Sequence, residues 1–370
     1  MTTVESTDQS IQNNTYHNTI HPSNISHNNH NVSGNPVKPK HHQTKKVWIT
    51  VTLALIVSFV ALNAVAFNQA RAMLTFSPIG ERTASPEALS FLGKVEVLLF
   101  GVVLPKPMNQ ATPAEHGLAF ETHTIDVGDV DVGDDIKLDG WYIPKEGSKG
   151  LVVLFHGYGG EKSGELPSAV AFHHLGYSTF LVDFRGSGGS SGYQTSVGYW
   201  EAIDVVETVQ YVEKLEKGPI ILVGRSMGGA AVLRAVDLGM IDPDGLIIEA
   251  VFDDMLSTVK NRFDVMNIPT FPAAHLLVFW AGQQIGVLGF THNPADYAQG
   301  VKVPVLMLHG AHDTRVTLTQ AERLFDQIGS QDKRFELFTE SSHADILEKE
   351  PQKWRQVIQS FLDNDVAQPD

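Results

Sequence analysis

Between residues 118 and 365, short apolar runs rich in β-branched residues recur at intervals filled by longer stretches of helical character. Leu151–Phe155 (LVVLF) is apolar at every position, the pattern of a strand covered on both faces. Residues 179–184, 220–223, 246–251 and 303–308 repeat that pattern, and 335–338 repeats it more weakly. Residues 136–144 alternate as a strand and pair naturally with 123–132 as a hairpin. Helical spacing is read over 197–215, 227–238, 318–328 and 351–362. Strand and helix in alternation predict an α/β class with a mostly parallel sheet and helices on both faces. Residues 256–300 interrupt the rhythm with an aromatic, proline-punctuated stretch, IPTFPAAHLLVFWAGQQIGVLGF. This segment is expected to form a small cap over the catalytic edge of the sheet.

The 370 residues allow one large α/β domain with extensions, or two domains. Cysteine is absent, which excludes disulfides, iron–sulfur clusters, zinc–thiolate sites and a cysteine nucleophile. Four lysines against Glu5 and Asp8 give residues 1–46 a charge of +2, so the rest carries −17 of the net −15. An acidic body repels phosphate backbones, and no nucleic-acid partner is expected.

Residues 1–46 are rich in Asn, His, Thr and Ser and read as a disordered polar tail. Residues 47–67 follow as 21 positions without a charge. As a helix this run spans ~31 Å, one hydrocarbon core, and is apolar on every face. It predicts a single transmembrane anchor. Lys38, Lys40, Lys45 and Lys46 precede it, while only Arg71 and Arg82 follow closely. The positive-inside rule then places the tail in the cytoplasm and the body on the outer side. Ala64-Val65-Ala66 offers an alternative in which the leader is cut and the body secreted. Residues 68–117 read as a membrane-proximal linker. Within it, 91–104 is too short and too charged for a second span and suits an interfacial position.

Ligands of open α/β sheets sit beyond the carboxyl ends of the strands. After 220–223 comes Gly224-Arg225-Ser226-Met227-Gly228-Gly229, a G-x-S-x-G turn leading into a helix. Such a turn lifts the serine hydroxyl above the sheet and requires small neighbours. Gly188-Gly189-Ser190-Ser191-Gly192 also fits the pattern, but it follows a glycine loop and leads into no helix, so Ser226 is the candidate nucleophile. A serine needs a base, and the base needs an orienting carboxylate. Asp313 follows 303–308 and His343 follows 335–338. Asp253 and Asp254, after another strand, remain alternative acids; His309 and His312 do not fit the base position. The strand at Leu151–Phe155 leads into His156-Gly157-Tyr158-Gly159-Gly160, whose glycines let backbone amides turn toward an oxyanion. The amides of Tyr158 and Met227 are the expected oxyanion donors, and His156 is expected to bond the loop rather than substrate.

HGYGG, DFRGSGGSSG, GRSMGG, HGAHD and SSH stand in an order and spacing that resemble the α/β-hydrolase superfamily over about residues 118–365. Within it, the chain is most similar to the BEM46-like serine hydrolases, whose members often carry an N-terminal membrane anchor. The resemblance implies an eight-stranded sheet, a triad of Ser226, Asp313 and His343, and neither cofactor nor metal. Asp183 and Arg185 are expected to brace the loops around the site. The reading that follows is a serine hydrolase acting on carboxylic esters, with lipid or acyl esters among the expected substrates. A thioesterase or peptidase uses the same triad, and a membrane-tethered non-catalytic scaffold is the rival of another class.

Overall fold

Alternate side chains along each central strand point to opposite faces of one sheet, so the all-apolar runs build two core layers. The computed structural model describes residues 41–84, 89–90, 92–93, 96–97, 101–128 and 136–366. The sheet has eight strands: β1 (Glu121–Val127), β2 (Ile136–Ile143), β3 (Leu151–Phe155), β4 (Ser178–Asp183), β5 (Ile220–Arg225), β6 (Gly245–Glu249), β7 (Val305–Gly310) and β8 (Lys333–Phe338). Their order is β1-β2-β4-β3-β5-β6-β7-β8. β1 and β2 are antiparallel to their neighbours, and the rest of the sheet is parallel. In β3, Leu151, Val153 and Phe155 join one core layer while Val152 and Leu154 join the other. This is the α/β-hydrolase architecture expected from the sequence.

The helices are α1 (His41–Leu74), α2 (Leu166–Leu175), α3 (Glu201–Val212), α4 (Met227–Asp237), α5 (Met255–Val265), α6 (Ala273–Gln284), α7 (Pro294–Ala298), α8 (Leu318–Gln327), α9 (Ile346–Lys349) and α10 (Pro351–Asn364). α2 was not among the expected helices. It is apolar with little sidedness, buries Leu166, Ala169 and Phe172, and so lacks the periodic signal of an amphipathic helix. Helical character was expected from residue 197, but α3 begins at Glu201. The buried Glu201 carboxylate accepts the N–H groups of Ser196 and Gly198, which holds that segment as a turn.

Contacts divide the chain into residues up to Ala54 and residues from Leu55 onward. In the described part of the first unit, α1 is exposed from Lys45 to Ala54. Lys45–Leu74 is long and apolar enough to cross a bilayer, with a mean hydropathy of 2.3 over an 18-residue window. The helix thus runs beyond 47–67 at both ends. The tail expected over 1–46 lies, up to residue 40, outside the described residues, as does much of 91–104. Within the second unit the last turns of α1 are packed: Ala66, Ala70 and Leu74 are buried.

The segment between β6 and β7 holds α5, α6 and α7. It is tied to the body by His292, which is 3% exposed. Its Nε2–H donates to the Val197 carbonyl at 3.0 Å, and its Nδ1 accepts the Tyr297 hydroxyl at 3.2 Å. Burial pulls its pKa down to about 4. Below pH 6.5 the unfolded chain takes up a proton at this position that the folded chain refuses, so folded stability is lost as pH falls from 6.5 toward 4. His292→Gln removes that titration. The difference in stability between variant and parent is expected to move by up to about 3 kcal/mol in the variant's favour between pH 7 and pH 4, read from urea midpoints.

Candidate active site

The turn after β5 fixes the candidate nucleophile. Ser226 has φ 51° and ψ −113°, a strained backbone for any residue with a Cβ. Its N–H donates to the Glu249 carbonyl at 2.8 Å, and its carbonyl accepts the Ala230 N–H as α4 begins. The turn closes only because its neighbours are glycines. A Cβ on Gly228 would lie 2.3 Å from the Phe155 carbonyl oxygen, and one on Gly224 would lie 2.6 Å from the Gly229 Cα.

The Ser226 hydroxyl points to the His343 imidazole, with Oγ 3.1 Å from Nε2. The other ring nitrogen, Nδ1, lies 2.7 Å from Asp313 Oδ2. These partners are 117 and 30 residues apart in the chain. In this tautomer Nδ1–H donates to Asp313 and Nε2 is free to accept the serine proton. The other carboxylate oxygen, Oδ1, accepts the N–H groups of Arg315 and Val316 at 2.8 and 2.9 Å. Burial pushes the Asp313 pKa up, but the His343 hydrogen bond and charge, with these backbone donors, hold it below the ordinary value. The His343 loop is anchored in turn. Asp345 accepts the Ser342 N–H at 2.6 Å and hydroxyl at 2.9 Å, and the Ser341 carbonyl accepts the His312 N–H at 2.9 Å.

The alternatives fall elsewhere. Asp253 faces Arg323 at 2.7 Å, and Asp254 caps α5 by accepting the Ser257 N–H. His309 is fully buried in β7. Ser190 is 2% exposed and its hydroxyl donates to the Asp183 carbonyl at 2.6 Å, a structural bond.

The loop after β3 borders Ser226: a Cβ on Gly157 would be 3.6 Å from the serine Cβ. Among the described residues, neither the Tyr158 N–H nor the Met227 N–H donates to a protein acceptor. His156 Nδ1–H donates to the Gly157 carbonyl at 2.8 Å, and its Nε2 accepts the Phe184 N–H at 3.1 Å, so this ring serves the loop. Among the described residues no three His, Asp or Glu side chains gather as a metal set. A cavity of about 330 Å³ opens beside the triad, lined by His312, Thr314, Arg315, Ser342, His343, Ala344 and Asp345.

Several side chains that frame the site escaped the sequence reading. Asp183 and Arg185 brace loops as expected, but through unforeseen partners. Asp183 accepts the Lys162 ammonium at 2.5 Å and the amides of Lys162 and Gly189; Arg185 clasps Asp204 with two nitrogens. Lys162 is fully buried, also 3.2 Å from Asp139 and 4.4 Å from the Trp141 ring centroid. Arg225, the variable residue of the turn, pairs with the buried Glu165 at the start of α2 and so ties the turn to the segment after the loop of residues 156–160. These pairs are 19 to 60 residues apart in sequence, and no local pattern announces them.

Known proteins share this framework. The family model described as "Serine aminopeptidase, S33" (Hydrolase_4) matches residues 146–255 and 283–350, and its gap falls within α5 and α6. The uncharacterized protein YqkD of Bacillus subtilis is 25% identical over 238 residues, covering 63% of this chain and 76% of that protein. The uncharacterized membrane protein YNL320W of Saccharomyces cerevisiae is 25% identical over 253 residues, covering 68% and 82%. Among solved structures, the esterase Pf2001 of Pyrococcus furiosus superposes with a TM-score of 0.60 at 21% identity, covering 71% of this chain and 97% of that one. The eight-stranded sheet, the strained turn at Ser226 and these likenesses together show that the chain has the α/β-hydrolase fold and is similar to that family of hydrolases.

Proposed function

We propose that this chain is a membrane-anchored serine hydrolase that cleaves carboxylic esters through an acyl-enzyme. The observation that carries the reading is the continuous hydrogen-bond line from Ser226 through His343 to Asp313. His343 Nε2 takes the hydroxyl proton as Ser226 Oγ attacks the ester carbonyl. The free amides of Tyr158 and Met227 receive the developing oxyanion. His343 then returns the proton to the leaving alcohol, and a water activated by the same ring releases the acid. Asp313 holds the imidazole tautomer and stabilises its charged form.

An acyl or lipid-like substrate is supported by the way the end of α1 meets the site. The Tyr158 hydroxyl donates to the Met73 carbonyl at 2.5 Å. Trp280 of α6 donates to Asn63 at 3.1 Å, and its ring lies 5.4 Å from Phe67. The same apolar helix that suits a bilayer thus ends against both the loop beside the nucleophile and the cap. Retention of the anchor is supported by the packing of Ala66 and Ala70, which would follow or border a cut. The proposed orientation, tail cytoplasmic and body outside, rests on the lysines before residue 47. Peptide cleavage is the second reading, because the matching family model is described as an aminopeptidase.

Ser226→Ala is expected to abolish turnover of 4-nitrophenyl esters and labelling by a fluorophosphonate probe while the circular dichroism spectrum stays that of the parent. Retained turnover refutes the assignment. Asp313→Asn is expected to lower kcat by about 10⁴-fold with little change in KM. In sealed vesicles the chain is expected to stay in the membrane pellet after alkaline wash, with the body digested by protease added outside cells and the tail protected. A soluble body, or the reverse protection, contradicts the anchor or its direction.

A further inference from the structure

Three arginines stand near the loop of residues 156–160 and the rim beside His343, and among the described residues none has a carboxylate partner. Arg82 reaches that loop: a Cβ on Gly159 would lie 3.2 Å from its Nη2. Arg315 lines the cavity beside His343. Arg262 projects from α5, whose preceding residue, Asn261, donates to the Arg315 carbonyl at 2.9 Å. Arg262 lies within electrostatic reach of both Arg315 and Tyr158, and Arg82 also acts on Tyr158. All three arginines keep exposed surface. Partial burial and then the Arg315 charge lower the Arg262 pKa.

Among the described residues none of the three forms an ion pair with a carboxylate. Of the acids at the candidate site, Asp313 holds His343, Asp345 holds Ser342, and Asp253 and Asp254 face Arg323; Glu81 and Asp264, beside Arg82 and Arg262 in the chain, make no ion pair with them. In a chain with 42 acidic and 27 basic residues, three arginines near the candidate site with no ion pair among the described residues run against the composition. Like charges held together cost free energy in the empty protein, and an anion relieves that cost when it binds.

We propose that this cluster receives an anionic group, carboxylate or phosphate, carried by the ester that Ser226 attacks. This rests on the serine-hydrolase reading and names its substrate class. Guanidinium groups suit both anions because their planar donors match the paired oxygens. The same charges repel the ammonium group that an aminopeptidase must bind, which sets ester cleavage ahead of that second reading.

The test uses the full chain in neutral detergent and a matched pair of chromogenic esters, 4-nitrophenyl valerate and the 4-nitrophenyl monoester of glutaric acid. The parent is expected to favour the anionic ester by at least tenfold in kcat/KM at low salt, with the ratio shrinking as salt screens the cluster. Arg262→Gln and Arg315→Gln are each expected to cut that ratio at least threefold, and Arg262→Lys to restore part of it. Using the ratio separates charge recognition from any general loss of folded protein. A parent ratio at or below one, with Ser226 still labelled by a neutral fluorophosphonate, overturns the proposal but leaves the hydrolase reading standing. A ratio unmoved in both glutamine variants does the same. No turnover and no labelling overturns the hydrolase reading itself. Glycerol phosphate and phosphatidylglycerol vesicles, each set against phosphatidylcholine vesicles as competitors, separate the sources. Inhibition by the first alone assigns the anion to a soluble ester, inhibition by the vesicles alone assigns it to a lipid headgroup, and inhibition by neither counts against the cluster.

Discussion

The close approach of the turn after β5 to the backbone of β3 governs the geometry of everything above the sheet. Gly228 has no room for a Cβ because the Phe155 carbonyl occupies that volume. This contact brings the first turn of α4 beside the loop that follows β3. It therefore sets the loop of residues 156–160 against the turn that carries Ser226. The strained φ of Ser226 costs about 1–3 kcal/mol and persists because both flanking elements are locked in the sheet core. A site built this way is positioned by packing rather than by flexible loops.

The loops themselves are held by buried charge. Lys162 with Asp183, Arg185 with Asp204 and Arg225 with Glu165 each join segments that the sheet brings together but the chain does not. Such pairs give little net stability, because desolvation offsets most of the attraction. Losing one partner is far more harmful, since it strands the other charge in the interior. Their contribution is geometric: they restrict the loops to one arrangement around the triad. Burial raises the Asp183 pKa, and the Lys162 charge more than reverses this, so the carboxylate stays ionised and the bracing persists.

The apolar helix and the candidate site meet at the end of α1. The helix is apolar enough for a bilayer along most of its length, yet its last turns carry the Tyr158 hydroxyl bond, and Asn63 accepts from Trp280. A tryptophan with one edge apolar and an N–H satisfied by Asn63 suits the boundary between lipid and water. The arginines stand beside the same loop. Apolar and cationic surfaces thus meet near the same loop, the feature on which the proposal of an amphiphilic ester rests.

The sequence by itself determined the central strands, because runs apolar at every position suit a sheet covered on both faces; the edge strand β1 lies at Glu121–Val127 rather than 123–132. It determined the turn at Ser226, because glycine spacing records local backbone crowding. It also singled out Asp313 and His343, since both follow strands whose carboxyl ends must share one edge. The uncharged run after Lys46 was equally legible, being a matter of length and polarity alone. What only the tertiary structure decided were pairings across distance. Lys162 was one polar residue in a glycine-rich stretch until folding set Asp183 and Asp139 against it. α2 was missed because a helix buried on most sides loses its periodic stripe, and α3 starts late because the Glu201 carboxylate captured the turn before it. Arg82, Arg262 and Arg315 come from three separate segments, and nothing in any one of them signals the others. Local crowding and periodicity are written along the chain, whereas the partner of a long charged side chain is chosen only when the sheet has brought distant segments within its reach.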